Sequence, residues 1–525
     1  MTHGWLSLVP PLLAIGLALA LRQVLLALLL GVWSGALILA GGRPVTALLR
    51  VADTYLVDAL ADRDHAAIVL FSLLLGGMVG ILSRAGAMEG VVRALTGRVR
   101  DRRAAQTATA AMGTAIFFDD YANTLLVGNA LRPLCDRLRV SRAKLAYLVD
   151  STAAPVTSVA IVSTWIGFEV GLIQDAMTRL QLEGSGYLFF LRSLPYSFYP
   201  LLTLVFVYLV AVSGRDFGPM ARAEAAAAAA AGGPARGPTT LQAVSATPAS
   251  PWLGAVPILA VILVTIVGLW ANGRAAVLAA GGEAPALREI LNAADSLAVL
   301  MWASLGGVLV AGVLVRVAGR LSLGEIGEAW LAGAREMLVA MAILVLAWSL
   351  GKVCDELGTG RWLVDASRGL LSVHLLPAVT FLLAAAVSFS TGTSWGTMAI
   401  LIPMVFPVAA ALPAEAGIGG AAATGILLAS VRAVLAGSVF GDHCSPLSDT
   451  TIMSSMASGC DHVEHVRTQM PYALVVAAAA LAAGYLPAGF GLSPWLSLPL
   501  GVALLVAWLH WRGRVPVAMA PEGRR

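Results

Sequence analysis

Apolar runs long enough to cross a hydrocarbon core recur along the whole 525-residue chain. WLSLVPPLLAIGLALAL, IVLFSLLLGGMVGIL, PLLTLVFVYLVAV, PILAVILVTIVGLW, LVAMAILVLAWSL and PYALVVAAAALAAGYL are examples. In a bilayer every backbone N–H and C=O must be bonded inside the protein, so such runs become helices of about 20 residues. A membrane barrel would alternate apolar and polar residues, and these runs do not. With 58% hydrophobic and 12% charged residues and a mean hydropathy of +0.84, the chain lies outside the range of water-soluble globular proteins. The fold class is an all-α polytopic membrane protein, with the lipid bilayer as its first partner. The first run has no basic segment before it and is followed at once by QVLLALLLGVWSGALILAG, so it reads as a transmembrane helix and not a cleaved signal. Cys135, Cys354, Cys444 and Cys460 lack metal spacing and are expected to be free thiols. A formal charge of +4 points to no nucleic-acid partner; in a membrane chain surplus Arg marks cytoplasmic loops.

Arg and Lys cluster in RALTGRVRDRR (93–103), in LRPLCDRLRVSRAK (131–144), at Arg215, Arg222 and Arg236, at Arg316 and Arg320, and in the C-terminal RGR and GRR. The first two clusters flank the apolar segment 104–131, which is therefore expected to be a re-entrant hairpin entering and leaving at the cytoplasmic face. Segment 377–406 is followed by a stretch without Arg or Lys and reads as a second hairpin, dipping from the outer face. The remaining runs give about 11 crossings, with the N-terminus outside and the C-terminus in the cytoplasm of a bacterial inner membrane.

The two halves carry the same order of parts. A crossing ends in a polar corner (ILSRAGAMEGVVRAL; LGKVCDELGTGRWLV), a Gly/Thr/Ser-rich hairpin follows, and then a long crossing is broken by a polar patch, LVDSTAAPVTS (148–158) or VFGDHCSPLSDTT (439–451). Loop charges give the broken helices opposite directions, the signature of an inverted-topology repeat. The expected division is a first repeat over 1–212 (hairpin 104–131, broken helix 144–175) and a cytoplasmic Ala/Pro-rich linker over 213–251 that is partly disordered or forms one short helix. A second repeat over 252–490 (hairpin 377–406, broken helix 421–459) and an extra helix with a basic tail over 491–525 complete it.

Carboxylates inside the spans need a reason, because a charge at the bilayer centre costs roughly 2.5–3.5 kcal/mol on insertion scales. Asp119, Asp120, Asp150, Asp442 and Asp449 are such residues. Two adjacent aspartates in a low-dielectric site cannot both stay ionised without a compensating cation, so the pair is neutralised either by protons or by a metal ion. On a helix Asp119 and Asn123 share one face and Asp120 and Thr124 the next. Asp442, Ser445 and Asp449 are expected on one face, with Pro446 freeing a carbonyl. Ser151 and Thr152 follow Asp150, and the hairpin tip FSTGTSWGT offers Ser390, Thr391, Thr393 and Ser394. Such an all-oxygen set suits Na+ held by a subset of the five aspartates. His443, beside Asp442, is either a proton relay or a packed neutral histidine. Lys352 and Arg432 either snorkel or form ion pairs. The cluster DHVEHVR (461–467) reads as solvated charge at a cytoplasmic helix end rather than as a metal site.

FFDDYANTLLVG, VDSTAAPVTSVAIVSTWIGFEVG, SFSTGTSWGTMAILIP and GSVFGDHCSPLSDTTIMSS, occurring together and in this order, resemble the NhaC-type sodium/proton antiporter family of the ion transporter superfamily. The resemblance runs over about 66–212 and 294–490. It implies a secondary transporter, not an enzyme, with two re-entrant hairpins whose tips meet broken helices. By motif match Asp119, Asp120, Asn123, Asp150, Thr393, Ser394, Asp442, Ser445 and Asp449 would surround the site, with Na+ and H+ as transported or coupling ions and no cofactor. The resemblance also admits carriers of organic anions, amino acids or drugs, for which Trp395, Ser394 and Lys352 would serve the solute. An intramembrane aspartyl protease fits poorly, since the partner Tyr-Asp motif is missing, and paired titratable acids in inverted repeats favour alternating access over a channel. The first helices of each half would form a scaffold and a candidate homodimer interface.

Overall fold

A computed structural model describes residues 4–21, 23–87, 90, 99–229, 249–281, 286–367 and 372–515. Residues 93–98 of the first basic loop, Arg236 with the rest of 230–248, and the tail 516–525 lie outside the described residues. Among the described residues there is no strand, only an isolated bridge between Asp216 and Arg514. Among the described residues, nine helices are long and apolar enough to cross a bilayer: Arg63–Arg84, Trp252–Ala279, Ser296–Val317, Leu338–Leu357, Val373–Thr391, Ser394–Glu415, Gly420–Cys444, His462–Gly489 and Pro494–Arg512. A tenth would be the pair Gly186–Tyr196 and Phe198–Ser213, bent by 51°. Gly4–Ala18 and Val24–Leu39 are apolar but shorter.

Polar residues set where helices begin. Asp62 accepts from the backbone N–H groups of Asp64 and His65 at the start of Arg63–Arg84, and Asp101, Ser141 and Asp461 cap Arg102–Ala115, Arg142–Asp150 and His462–Ala479 in the same way. Both segments read as hairpins are helix–break–helix units. The first is Arg102–Ala115 and Asp120–Arg137; the second is Leu376–Thr391 and Ser394–Glu415. Ser394–Glu415 is long enough to cross on its own, since 22 residues at about 1.5 Å each match a hydrocarbon core of about 30 Å, and the other arm reaches membrane length as Val373–Thr391, 19 residues. Each unit precedes an interrupted helix, Arg142–Asp150 resuming at Ile166–Arg179 and Gly420–Cys444 resuming at Asp449–Ser458. Of the segment 213–251, residues Gly218–Ala229 form a helix. Its buried Glu224 accepts from Arg102 Nη2 (2.6 Å) and the Ser141 N–H (2.7 Å).

The interrupted helices cross-pack between halves. Asp449–Ser458 lies against Asp120–Arg137 and Arg142–Asp150 of the first half, whereas Leu376–Thr391 and Ser394–Glu415 lie against Gly420–Cys444 of their own half. A buried ion pair ties Ile166–Arg179 to Gly420–Cys444. Arg432, 1% exposed, donates from Nη1 to Glu169 Oε2 (3.4 Å), from Nε to Ser197 Oγ (2.5 Å) and from Nη2 to the Ser158 carbonyl (2.6 Å), above the Phe190 ring. Lys144 and Asp216 form a second fully buried pair, which Tyr472 joins through its hydroxyl. Away from these, Arg63–Arg84 meets Leu323–Glu336 through glycines. A Cβ on Gly333 would lie 2.2 Å from the Gly76 carbonyl oxygen, and one on Gly80 2.3 Å from that of Ala329.

Two stability predictions come from this packing. Gly333→Val forces the two backbones apart and should cost about 1–3 kcal/mol, read as a lower melting temperature in detergent, whereas an unchanged melt would contradict the close approach. Arg432→Met strands the buried Glu169 charge and should cost about 3–5 kcal/mol, while the double replacement Glu169→Met/Arg432→Met should recover most of that loss. Equal melts for the single and double variants would show that the pair is not the cause.

Candidate functional site

The two adjacent aspartates have different surroundings. Asp119 is the N-cap of Asp120–Arg137: Oδ1 accepts from the Ala122 N–H (2.7 Å) and Oδ2 from Thr164 Oγ1 (3.0 Å). Asp120, the first residue of that helix, has a buried Oδ2 with no hydrogen-bond partner among the described residues. It lies beside the Trp165 indole and within the fields of Asp119 and Asp442. Asp442, in the last turn of Gly420–Cys444, accepts at Oδ1 from Ser448 Oγ (2.5 Å) and at Oδ2 from Ser394 Oγ (3.2 Å). One acid cluster is thus assembled from the first helix pair, the tip of the second and the second helix break.

The second tip reaches that break because Gly392 holds φ +71° and its Cα side lies against Leu447, where a Cβ would come within 2.7 Å of backbone. Only glycine meets both demands without strain. Thr393 then caps the next helix, accepting from the Gly396 N–H (3.3 Å). The N-termini of Asp120–Arg137 and Ser394–Glu415, positive ends of helix dipoles, therefore face the carboxylates, as at other helix-terminus ion sites. Trp395 packs edge-on to Phe168 and tilted against Trp165, forming an aromatic wall beside the acids.

Exposure of 2% for Asp119 and Asp120 and 5% for Asp442 makes this an occluded arrangement. Among the described residues none of the three forms an ion pair with Lys or Arg. Arg432 and Lys144 are committed to Glu169 and Asp216, and Lys352 reaches Asp58 (2.5 Å) at a partly exposed position. A cavity of about 310 Å³ lined by Ala385, Phe389, Phe440 and Met470 is apolar, and the acids do not line it.

The other expected residues divide into structural and separate groups. The Asn123 amide nitrogen lies within hydrogen-bond distance of the carbonyls of Gly113, Ile116 and Thr152, which joins the first helix pair to the first break. Thr124, Thr152 and Thr391 bond back to carbonyls of their own helices. Ser390 does likewise and is exposed. Ser445 donates to the Phe389 carbonyl (2.7 Å), stapling break to tip. The expected face of Asp442, Ser445 and Asp449 does not form: the helix stops at Cys444 before Pro446 and restarts at Asp449, which is exposed. A proline that cannot donate, in a short Ser-rich stretch, ends the helix here instead of kinking it.

Asp150 faces a different group. Its Oδ2 meets His465 Nε2 (3.1 Å) and the Gln469 amide (2.6 Å), and the same Gln469 nitrogen reaches the His443 carbonyl. His443 bonds Ser151 Oγ through Nε2 (2.7 Å) and Tyr199 through Nδ1 (2.6 Å). The solvated reading of DHVEHVR fails for His465, which is fully buried, and among the described residues no cluster of His, Cys, Asp or Glu suits a metal ion of that kind. Thr164, Trp165, Ser448, Tyr199, His465 and Gln469 were not singled out from sequence, though Thr164, Trp165 and Ser448 lie inside the conspicuous polar motifs.

The model of the Na+/H+ antiporter family matches residues 156–490. A Haemophilus influenzae protein of uncharacterised function is 35% identical over 491 residues, 92% of this chain and 91% of its own length. The malate-2H+/Na+-lactate antiporter of Bacillus subtilis is 31% identical over 140 residues, 26% of this chain and 25% of its own. The Neisseria gonorrhoeae MtrF structure, described as one of a class of antimetabolite efflux pumps, superposes with a TM-score of 0.55 at 16% identity, covering 90% of this chain and 85% of that one. That likeness concerns fold alone. On the family match, joined to a bundle of membrane-length helices, this integral membrane protein belongs to the Na+/H+ antiporter family.

Proposed function

We propose that the protein is a secondary transporter exchanging Na+ (or Li+) for protons at Asp119, Asp120 and Asp442, with the hydroxyls of Thr164, Ser394 and Ser448 as further ligands. The observation that carries this reading is the burial of three neighbouring carboxylates, one with a bare oxygen, without a lysine or arginine among the described residues to neutralise them. Mutual repulsion and desolvation require that cluster to hold protons or a cation, and the same oxygens serve for either. Competition for one site is the minimal device for obligatory exchange. The occluded acids suit an intermediate of alternating access, in which the helix tips and interrupted helices carry the site between faces of a bacterial inner membrane while the first helices of each half form the scaffold. Within this reading the two halves form an inverted repeat, their tips are re-entrant, and a homodimer builds on the scaffold.

A second reading keeps the fold and couples Na+ or H+ to a small organic solute. The partial match to a carrier of malate and lactate favours it, as does the aromatic wall of Trp165 and Trp395 beside the acids. Lys352 does not support it, being tied to Asp58.

Asp120→Asn keeps side-chain volume but removes the acid with the bare oxygen. In proteoliposomes with an acidic interior, Na+ should alkalinise the lumen for the wild type, and the variant should lose at least 90% of that response (about 1.4 kcal/mol or more of coupling) while remaining folded. A variant with normal exchange would move the site elsewhere. A wild type that ignores Na+, Li+ and K+ but moves malate or lactate would establish the second reading.

A further inference from the structure

Behind the acid cluster lies a second set of buried titratable groups that the exchange site does not use. Asp150 and His465, 0% exposed, meet at 3.1 Å between the two halves, and Gln469, one helical turn after His465, holds the same carboxylate. Among the described residues, three buried atoms of this group have no hydrogen-bond partner: Asp150 Oδ1, His465 Nδ1 and Gln469 Oε1.

Charge decides what this arrangement can hold. With His465 neutral and donating from Nε2, the group carries one negative charge, and Nδ1 and Oδ1 stand open. One added proton, on the carboxylate or on the ring, makes the group neutral overall. The surrounding groups do not neutralise it otherwise. Among the described residues, Asp442, His443 and Cys444 on Gly420–Cys444 and Tyr199 on Phe198–Ser213 are titratable groups facing it, while Tyr147 on the helix of Asp150 packs against Tyr472 instead. Among the described residues on packed elements, Lys144 pairs with Asp216, Arg102 with Glu224 and Arg142 with Asp136, and Arg132, partly exposed, lies against Gly459. Arg103, Arg137 and Arg467 are exposed, and so are Glu464 and Asp449.

Resting on the exchange reading above, we propose that Asp150 and His465 together form a second proton-binding site of the transport cycle, distinct from the cation site at Asp119, Asp120 and Asp442. The added proton binds at an open atom, His465 Nδ1 or Asp150 Oδ1, while the Nε2–H···Oδ2 contact keeps the two side chains together. Its release returns the group to one negative charge, which Gln469 stabilises by donating to Oδ2. Because Gln469 also bonds the His443 carbonyl, next to Asp442, the protonation state of the dyad is mechanically joined to the helix end that carries the cation site.

The test compares wild type, Asp150→Asn and His465→Gln in proteoliposomes, measuring protons moved per Na+ from reversal potentials, and Na+/Na+ counterflow with radioactive sodium. Asp150→Asn should retain counterflow within about threefold of wild type (about 0.6 kcal/mol) and carry one proton fewer per cycle, and His465→Gln should shift the pH profile of exchange. Wild-type proton number and pH profile in Asp150→Asn would reduce the dyad to a structural contact. Should both variants lose counterflow, nitrogen-labelled histidine NMR of the wild-type protein decides. The His465 resonance, assigned against His465→Gln, changes protonation with pH if the proposal holds and stays fixed if it does not. The same NMR result separates the two claims if the wild type moves no Na+: exchange then fails as the function, while a titrating His465 still establishes the proton site.

Discussion

Three carboxylates placed close together, away from water, without a basic side chain among the described residues in contact, set the terms for the rest of this structure. Asp119, Asp120 and Asp442 come from two places in the sequence and are almost fully buried. Hydrocarbon offers no solvation for them, so the protein supplies helix ends instead. Two helix N-termini, the hydroxyls of Thr164, Ser394 and Ser448, and the backbone N–H of Ala122 do that work. A straight helix has no free backbone groups in its middle, so a membrane bundle that must hold ions has to break its helices. The breaks at 116–119, 151–153, 392–393 and 445–448 follow from that requirement.

Broken helices weaken a bundle unless something else fixes their ends. Here the fixing is done by buried polar links between the halves, Glu169 with Arg432, Ser151 with His443 and Gln469 with Asp150, and Gln469 also holds the His443 carbonyl within its own half. A buried ion pair contributes little net stability over an apolar pair of equal size, yet removing one partner is expensive. Its value in this position is register, since it lets the interrupted helices of both halves keep one relative arrangement while their middles are unwound.

Much of this was legible from local chemistry. Span-length apolar runs gave the helices, and the Gly/Thr/Ser-rich tip and the polar patch at 439–451 located two interruptions, though not that Gly392 holds a left-handed backbone or that the helix ends outright before Pro446. The acids stood out because their surroundings are apolar. The partners of Asp150 did not, because His465 and Gln469 lie more than 300 residues away in sequence and sit in a polar helix start that resembles a solvated end. The helical face assigned to Asp442, Ser445 and Asp449 was misread for the opposite reason: the spacing was right for a continuous helix, but the helix is not continuous. Nor did adjacency reveal that Asp119 is a cap while Asp120 keeps a bare oxygen; that difference depends on Thr164, 45 residues away.

The central claim is that protons and a cation compete for the same buried oxygens, and equilibrium proton release tests it without any assumption about transport rates. Purified protein in weakly buffered detergent solution would be titrated with NaCl, LiCl, KCl or choline chloride while free protons are followed across a range of pH. The account predicts proton release on adding Na+ or Li+, none with choline, and an apparent Na+ affinity that rises with pH until the acids are already deprotonated. Protein that binds Na+ with no proton release at any pH would contradict it.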